Sequence, residues 1–237
     1  MDDFRFPNEP EAYRAARDEL LDAEVALRDH GEAVAAKRRT LPLGGRLGDD
    51  YVLEQVVDGA TRDVKFADLF GGHSTLMIYT MMFGRAWDAP CPSCTSIVDA
   101  IDANWRVVER QCAVAVAAGA SAEQLATWGA GRGWTVPLVS GGESSYVLDY
   151  AGFATEDAGL VSVMNVFRRT DEGIFHWWSS ELIRRPMESG HPRHVDAIWP
   201  MWNLLDMTPD GRGTGSIPKQ DFRHEYFTEN VFREEDD

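Results

Sequence analysis

Met82-Phe83-Gly84-Arg85-Ala86-Trp87-Asp88-Ala89-Pro90-Cys91-Pro92-Ser93-Cys94 is the stretch whose reading decides the fold. It joins an apolar run, Thr75 to Phe83, to a pattern of helical periodicity, and two cysteines separated by two residues stand at the junction. At the start of a helix Cys91 and Cys94 lie about one turn apart, near enough to close a disulfide if their side chains converge. Unpaired amides and the helix dipole there would stabilise the Cys91 thiolate, lowering its pKa from about 8.5 toward about 7. Pro92 suits a first helical turn, where an N–H would have no intrahelical acceptor. Three chemistries stay open for such a pair: a redox dithiol, half of a metal site, or two small buried side chains. A four-cysteine zinc site is excluded by count, because Cys112 is the only other cysteine, although histidines could complete a mixed site.

The remainder of the composition narrows the setting. A chain of 237 residues can bury a sizeable core, and 44% hydrophobic with 26% charged residues is the balance of a globular protein. Lys and Arg total 23 against 39 Asp and Glu, a net charge of −16 that opposes binding to nucleic acid and to anionic membrane. No run reaches the roughly 18 apolar residues of a membrane span, and the start Met1-Asp2-Asp3-Phe4-Arg5 is not a basic-then-apolar leader, so a cytoplasmic location is expected. In that reducing compartment three cysteines point to reactivity or metal binding rather than to a structural disulfide framework.

Working outward from the motif, Thr75 to Phe83 reads as a central strand, covered on both faces. Thr95 to Glu109 reads as a helix burying Ile97, Val98, Ile101, Trp105 and Val108, and Cys112 to Ala118 as the parallel strand it leads to. Ser121 is placed to cap a further helix with Glu123 and Gln124 in its first turn, ended by a glycine among Gly129, Gly131 and Gly133. Val136 to Val139 is a short strand or edge segment. Val161 to Arg168 and Ile174 to Trp178, separated by Arg169-Thr170-Asp171-Glu172-Gly173, form an antiparallel hairpin. Upstream, Glu11 to Arg38 is a long helix with Tyr13, Ala16, Leu20, Ala23, Leu27 and Val34 on a stripe that should pack on the main domain or a second copy. Tyr51 to Val57 is a short strand, and Val64 to Phe70 leads from a strand into the turn at Gly71-Gly72. Leu43-Gly44-Gly45-Arg46-Leu47-Gly48 lacks the spacing of a phosphate loop. His194 to Leu205 is a final helix interrupted by Pro200, and Ile217 to Asp237 an aromatic-bearing tail that docks before fraying.

The order strand, CxxC, helix, strand, helix, hairpin is that of a thioredoxin-like core. The expected fold is therefore α/β and thioredoxin-like, a mixed central sheet flanked by helices. Residues 1–63 form an N-terminal helix and lead-in, 64–205 the thioredoxin-like domain and 206–237 a C-terminal extension. In such a core Cys91 is the attacking thiolate and Cys94 resolves the mixed disulfide, with Trp87, Asp88, Pro90 and Pro92 as the rim that meets substrate. Cys112 reads as a small buried hydrophobe. His73 and His176 are the histidines that neighbouring strands could bring to the cysteines, and Arg85 with Arg184-Arg185 could draw an anionic substrate. Trp177-Trp178 and Trp199 with Trp202 could line a groove beside the dithiol, bury a subunit contact, or simply fill the core.

A set of strings spread along the chain is similar to one known family. Asp68-Leu69-Phe70-Gly71-Gly72, Leu76, Tyr79, Met82-Phe83-Gly84, Cys91-Pro92-Ser93-Cys94, Gly133-Trp134, Val139-Ser140, Asp149-Tyr150, Leu205-Asp206-Met207-Thr208-Pro209 and Gly211-Arg212 resemble a bacterial domain of unknown function, number 899, classed as thioredoxin-like. The resemblance runs from the N-terminal helix to about Arg212 and places the family's cysteine pair on Cys91 and Cys94. Two departures stand out. Thr80 and Met81 occupy the place where many members carry a histidine, and Glu156 to Leu160 lacks the proline that ordinary thioredoxins hold cis opposite their dithiol. Taken together, the sequence implies a thiol–disulfide oxidoreductase acting on a thiol or disulfide substrate with a separate reductant, without cofactor or metal, and a homodimer suggested by the tryptophans and the N-terminal helix. The alternative is a non-catalytic thioredoxin-like binding or assembly protein whose cysteines are structural or metal-bound.

Overall fold

Strand β3, Thr75–Gly84, forms because nine consecutive residues from Thr75 carry β-branched, aromatic or otherwise bulky apolar side chains, and both of its faces are covered. In the computed structural model, which describes residues 5–48, 51–141, 144–151, 161–185 and 193–211, this strand lies inside a mixed sheet. The other strands are β1 (Val52–Val57), β2 (Ala60–Lys65), β4 (Ala113–Gly119), β5 (Leu138–Ser140), β6 (Val163–Thr170) and β7 (Gly173–Ser179). Among the described residues the sheet order is β2-β1-β5-β4-β3-β6-β7. β4 runs parallel to β3 and to β5, whereas β6 is antiparallel to β3 and to β7. The segment β4-β3-β6-β7, with the dithiol helix joining β3 to β4, is the arrangement of a thioredoxin-like fold.

The side-chain period of two divides β3 between two cores. Tyr79, Met81 and Phe83 face the helices α2 (Pro92–Asp102), α3 (Trp105–Val108), α4 (Ala122–Arg132) and α6 (Met201–Asp206), among Ile97, Val98, Trp105, Leu125 and Trp202. Leu76 and Ile78 face the other way, into a cluster with Phe66 and Phe70 from a 3-10 turn, Tyr146 and Val147 from α5 (Tyr146–Ala151), and Phe167.

Several expectations shift by a few residues for identifiable reasons. The dithiol helix begins at Pro92 and ends at Asp102, and a separate turn of helix follows at Trp105–Val108. The break lets the Asp102 carboxylate accept the N–H groups of Thr135 at 2.6 Å and Val136 at 2.8 Å, while Asn104 Nδ2 donates to the Ala100 carbonyl at 2.9 Å. Val64 and Lys65 close β2 and Phe66–Phe70 is a 3-10 turn rather than strand. β1 and β2 pair as a hairpin through Asp58 and Gly59, whose φ values of 53° and 76° are those a two-residue turn of type I′ requires. Pro200 stops the last helix from starting at His194, and α6 starts after it. The tail from Ile217 and the segment Glu156 to Leu160 lie outside the described residues.

Backbone packing separates the chain into Met1–Pro42 and Leu43–Asp237. In the first unit, α1 (Glu11–Arg39) ends in Lys37, Arg38 and Arg39, which complement the negative end of the helix dipole. Its buried side chain is Arg14, paired with Asp18 at 2.8 Å and Glu9 at 3.6 Å. Tyr13, Leu20 and Leu27 of the expected stripe are exposed, Leu27 by 73%.

The capping box foreseen at Ser121 is present in full: Ser121 Oγ accepts the Gln124 N–H at 3.2 Å and Gln124 Oε1 accepts the Ser121 N–H at 3.0 Å. Gly133, at φ 72°, ends the same helix in the left-handed conformation. Replacing Ser121 with Ala is expected to lower the unfolding free energy by about 1 kcal/mol in a denaturant titration, with an unchanged slope. A change within error of zero would show that the cap contributes nothing to the stability of α4.

Candidate active site

The chain leaves β3 at Gly84 and turns, the Trp87 N–H donating to the Gly84 carbonyl at 3.0 Å. A Cβ at Gly84 would come within 3.2 Å of Trp87 Cδ1 and Nε1, so glycine allows the indole to lie against the backbone. Arg85 to Ala89 are exposed, Pro90 is buried, and Gln124 Nε2 of α4 donates to the Arg85 carbonyl at 3.2 Å. The chain then returns to its own strand: the Cys91 N–H donates to the Met82 carbonyl at 2.9 Å.

Cys91 is the N-cap of α2, with non-helical backbone (φ −57°, ψ 126°), and Pro92 occupies the first helical position. The Thr95 N–H and Oγ1 both donate to the Cys91 carbonyl, at 3.0 and 3.2 Å, closing the first turn. Cys94 sits within that turn and points inward, where the Met82 N–H donates to its sulfur at 3.4 Å. Both cysteines are thiols, not joined in a disulfide. Cys91 is 9% exposed and Cys94 1%, so the pair is more enclosed than the exposed N-terminal thiol the motif suggested. Burial, followed by the neighbouring Cys91, pushes the Cys94 thiol well above its ordinary range, against the opposing influence of Tyr79 and the Met82 amide. Cys94 is therefore a neutral thiol at pH 7.

Tyr79, Ser162 and His194, none of which the sequence reading placed at the site, complete the surroundings. Tyr79 is fully buried on the same face of β3, and its hydroxyl lies beside Cys94 and Ser162 without closing an ordinary hydrogen bond to either. Burial first, then Cys94, holds the phenol well above its usual range. His194, also buried, shares a hydrogen bond of 3.0 Å between Nε2 and the Ser162 carbonyl. The signal available in sequence was Tyr79 itself, a tyrosine whose hydroxyl must find a partner in a strand otherwise built for burial.

The remaining candidates divide between the immediate neighbourhood of Cys91 and other parts of the fold. Trp87 and Asp88 are exposed in the preceding loop, and Pro90 and Pro92 flank Cys91 in the chain. His176 lies on the opposite face of the sheet, stacked on Tyr150 at 5.7 Å with Nε2 at 3.1 Å from Asn165 Oδ1. His73 follows the 3-10 turn, its N–H donating to the Phe70 carbonyl at 2.9 Å. Neither histidine joins the cysteines, and among the described residues no group of three or more His, Cys, Asp or Glu side chains is placed to hold a metal ion. Cys112 is half-buried, its thiol raised by that burial. Trp178, Trp199 and Trp202 pack in the dithiol-side core, and Trp199 Nε1 donates to Ser96 Oγ at 3.1 Å. The groove beside them, about 490 Å³ between α2 and α6 and lined by Ser96, Asp99, Trp199, Met201 and Leu204, has neither cysteine in its wall.

A bacterial family of unknown function, DUF899, matches residues 5–227. The chain belongs to this family. No curated protein matches the DUF899 chain. Similar solved structures include reduced Prx3 in complex with H2O2 from Vibrio vulnificus, 13% identical over 67% of this chain and 98% of that one, with a TM-score of 0.45. Peroxidoxin BcpB from Mycobacterium tuberculosis is 13% identical over 70% and 98%, also at 0.45. Thioredoxin peroxidase I from Plasmodium yoelii is 17% identical over 70% and 91%, at 0.43. Among the described residues of the DUF899 chain no helix is long and apolar enough to cross a membrane.

Two measurements test this geometry. A small alkylating agent applied to the native reduced protein is expected to modify Cys91 at least about tenfold faster than Cys94, because the deeper thiol reacts only through local opening; peptide mass spectrometry reading the reverse order would contradict the placement. Cys94 also links stability to pH. Its folded-state pKa is raised, so above about pH 8.5 the unfolded chain releases a proton that the native protein retains, and stability falls as pH rises. Below that pH both states carry the proton and its stabilising contribution is complete. Cys112 acts with the same sign, so the comparison must isolate Cys94. Urea unfolding of Cys94→Ala should lose stability less steeply than the wild type between about pH 8.5 and 10, by up to about 1.4 kcal/mol per pH unit; equal slopes would mean that Cys94 is not shielded.

Proposed function

We propose that the protein is a thiol–disulfide oxidoreductase in which Cys91 attacks and Cys94 resolves. The observation that carries this reading is the placement of Cys91 at the N-cap of a helix with Cys94 in its first turn, both as thiols. The Cys91 thiolate attacks one sulfur of a substrate disulfide; that S–S bond breaks, one substrate thiolate leaves and takes a proton from solvent, and a Cys91–substrate disulfide forms. Cys94 then gives up its proton and attacks the Cys91 sulfur, forming the Cys91–Cys94 disulfide and expelling the second substrate thiol. Two electrons pass from the dithiol to the substrate, and an external dithiol reductant returns them. Trp87, Asp88, Pro90 and Pro92 form the rim over which substrate reaches Cys91. The proposal includes a cytoplasmic setting, in which the reduced dithiol is the resting form, and a homodimer.

A second reading is favoured by the low exposure of both thiols: a thioredoxin-like binding or assembly protein whose cysteines only fill the core. Equilibration against dithiol buffers of graded potential separates the two. The redox reading expects reversible formation of one Cys91–Cys94 disulfide at a potential of about −180 to −270 mV, abolished in Cys91→Ser. A pair that never oxidises reversibly would leave the binding reading.

A further inference from the structure

Met82 has its backbone groups available to the cysteines because the sheet does not use them. Pairing with β6 ends at Thr80 opposite Val163, and pairing with β4 runs to Met81 opposite Ala118 and resumes at Gly84 opposite Gly119. The Met82 N–H is thereby directed at the Cys94 sulfur, at 3.4 Å. Tyr79, three residues earlier on the same strand, is fully buried, and its hydroxyl lies beside that sulfur with no ordinary hydrogen-bond partner. A backbone amide and a phenol therefore converge on one sulfur in an otherwise apolar cluster. A neutral thiol gains little from two donors, whereas a thiolate, which is an acceptor only, gains much more.

We infer that the Tyr79 hydroxyl and the Met82 N–H form a hydrogen-bonding site for the Cys94 thiolate, and that Tyr79 is a catalytic residue of the resolving step. The inference rests on the redox reading for the step it assists, but the site itself does not. When Cys94 loses its proton to attack Cys91, the hydroxyl donates to the new anion without transferring its own proton. The departing substrate thiolate receives the Cys94 proton, so Tyr79 ends the step unchanged. Tyr79 in turn stands next to Ser162, whose carbonyl holds His194. Among the described residues, the titratable side chains that reach Cys94 are Cys91 and Tyr79.

The test uses the full chain carrying Cys91→Ser and Cys112→Ala, in which Cys94 is the remaining thiol of the three. Its ionisation is followed through the Cβ resonance of isotope-labelled cysteine. Adding Tyr79→Phe is expected to move the midpoint alkaline by about one pH unit, the worth of one charge-assisted hydrogen bond. Tyr79→Leu, a second variant without the hydroxyl, should do the same. An unmoved midpoint in a folded variant overturns the site, whether or not the dithiol turns over. With all cysteines restored, tenfold less thiolate is partly offset by higher nucleophilicity, so Tyr79→Phe should slow the conversion of a preformed Cys91 mixed disulfide about threefold at pH 7. The same rate in both proteins would remove Tyr79 from the resolving step, whereas failure of the wild-type pair to oxidise at all would refute the redox reading and leave the titration result standing.

Discussion

One backbone residue holds the dithiol in place. The Met82 carbonyl accepts from the Cys91 N–H and the Met82 N–H donates to the Cys94 sulfur, so the helix start is fastened at two points to the strand that precedes it. A buried peptide group that leaves a sheet must find other partners, because an unsatisfied one costs about 1–3 kcal/mol. The register shift between Met81 and Gly84 creates that need, and the CxxC turn meets it. The position of Cys91 as N-cap and the inward aim of Cys94 follow from this accounting more directly than from helix propensity, since Cys91 is not a good capping residue and makes no side-chain cap.

The surroundings of the pair oppose one another. Both cysteines belong to a buried apolar cluster that also holds Met81, Phe83, Ile97, Met164 and Trp199, and such a setting removes water and disfavours a charged sulfur. Met82 and Tyr79 supply donors that favour it. Burial is the larger of these influences, which leaves Cys94 a neutral thiol at rest.

The legible part of this arrangement was the local part. The strand into Phe83, the capping box at Ser121, the hairpin around Asp171-Glu172 and the parallel strand after Cys112 all follow from patterns within ten or so residues, and each is present. Asp58-Gly59 was an equally local hairpin signal that went unused, because the strands on either side, one half-buried and one exposed, carry Glu54, Gln55, Arg62 and Asp63 in place of a clean apolar alternation. The partners of the site were not legible at all. Ser162 reaches Tyr79 and His194 reaches Ser162 through the fold, across separations of 83 and 32 positions, and no spacing rule connects them. For His176 the sheet decides: the period of two turns it toward Phe167 and away from the cysteines.

Access, rather than thiol chemistry, is the constraint that any activity must overcome. The segment Arg85 to Ala89 is held at its ends, by Trp87 against Gly84 and by Cys91 on Met82, and in between its side chains are exposed and Gln124 grips it through the Arg85 carbonyl. A segment with few buried apolar contacts opens at a fraction of the global unfolding free energy. Each 1.4 kcal/mol needed for that opening lowers the population of the accessible thiol about tenfold. The bonds of Met82 to Cys91 and Cys94 join β3 to the start of α2 and do not involve Arg85 to Ala89. Of the two sulfurs, that of Cys94, at 1% exposure and with its thiol pushed up by burial, is the more shielded, and that of Cys91, at 9%, lies nearer to solvent.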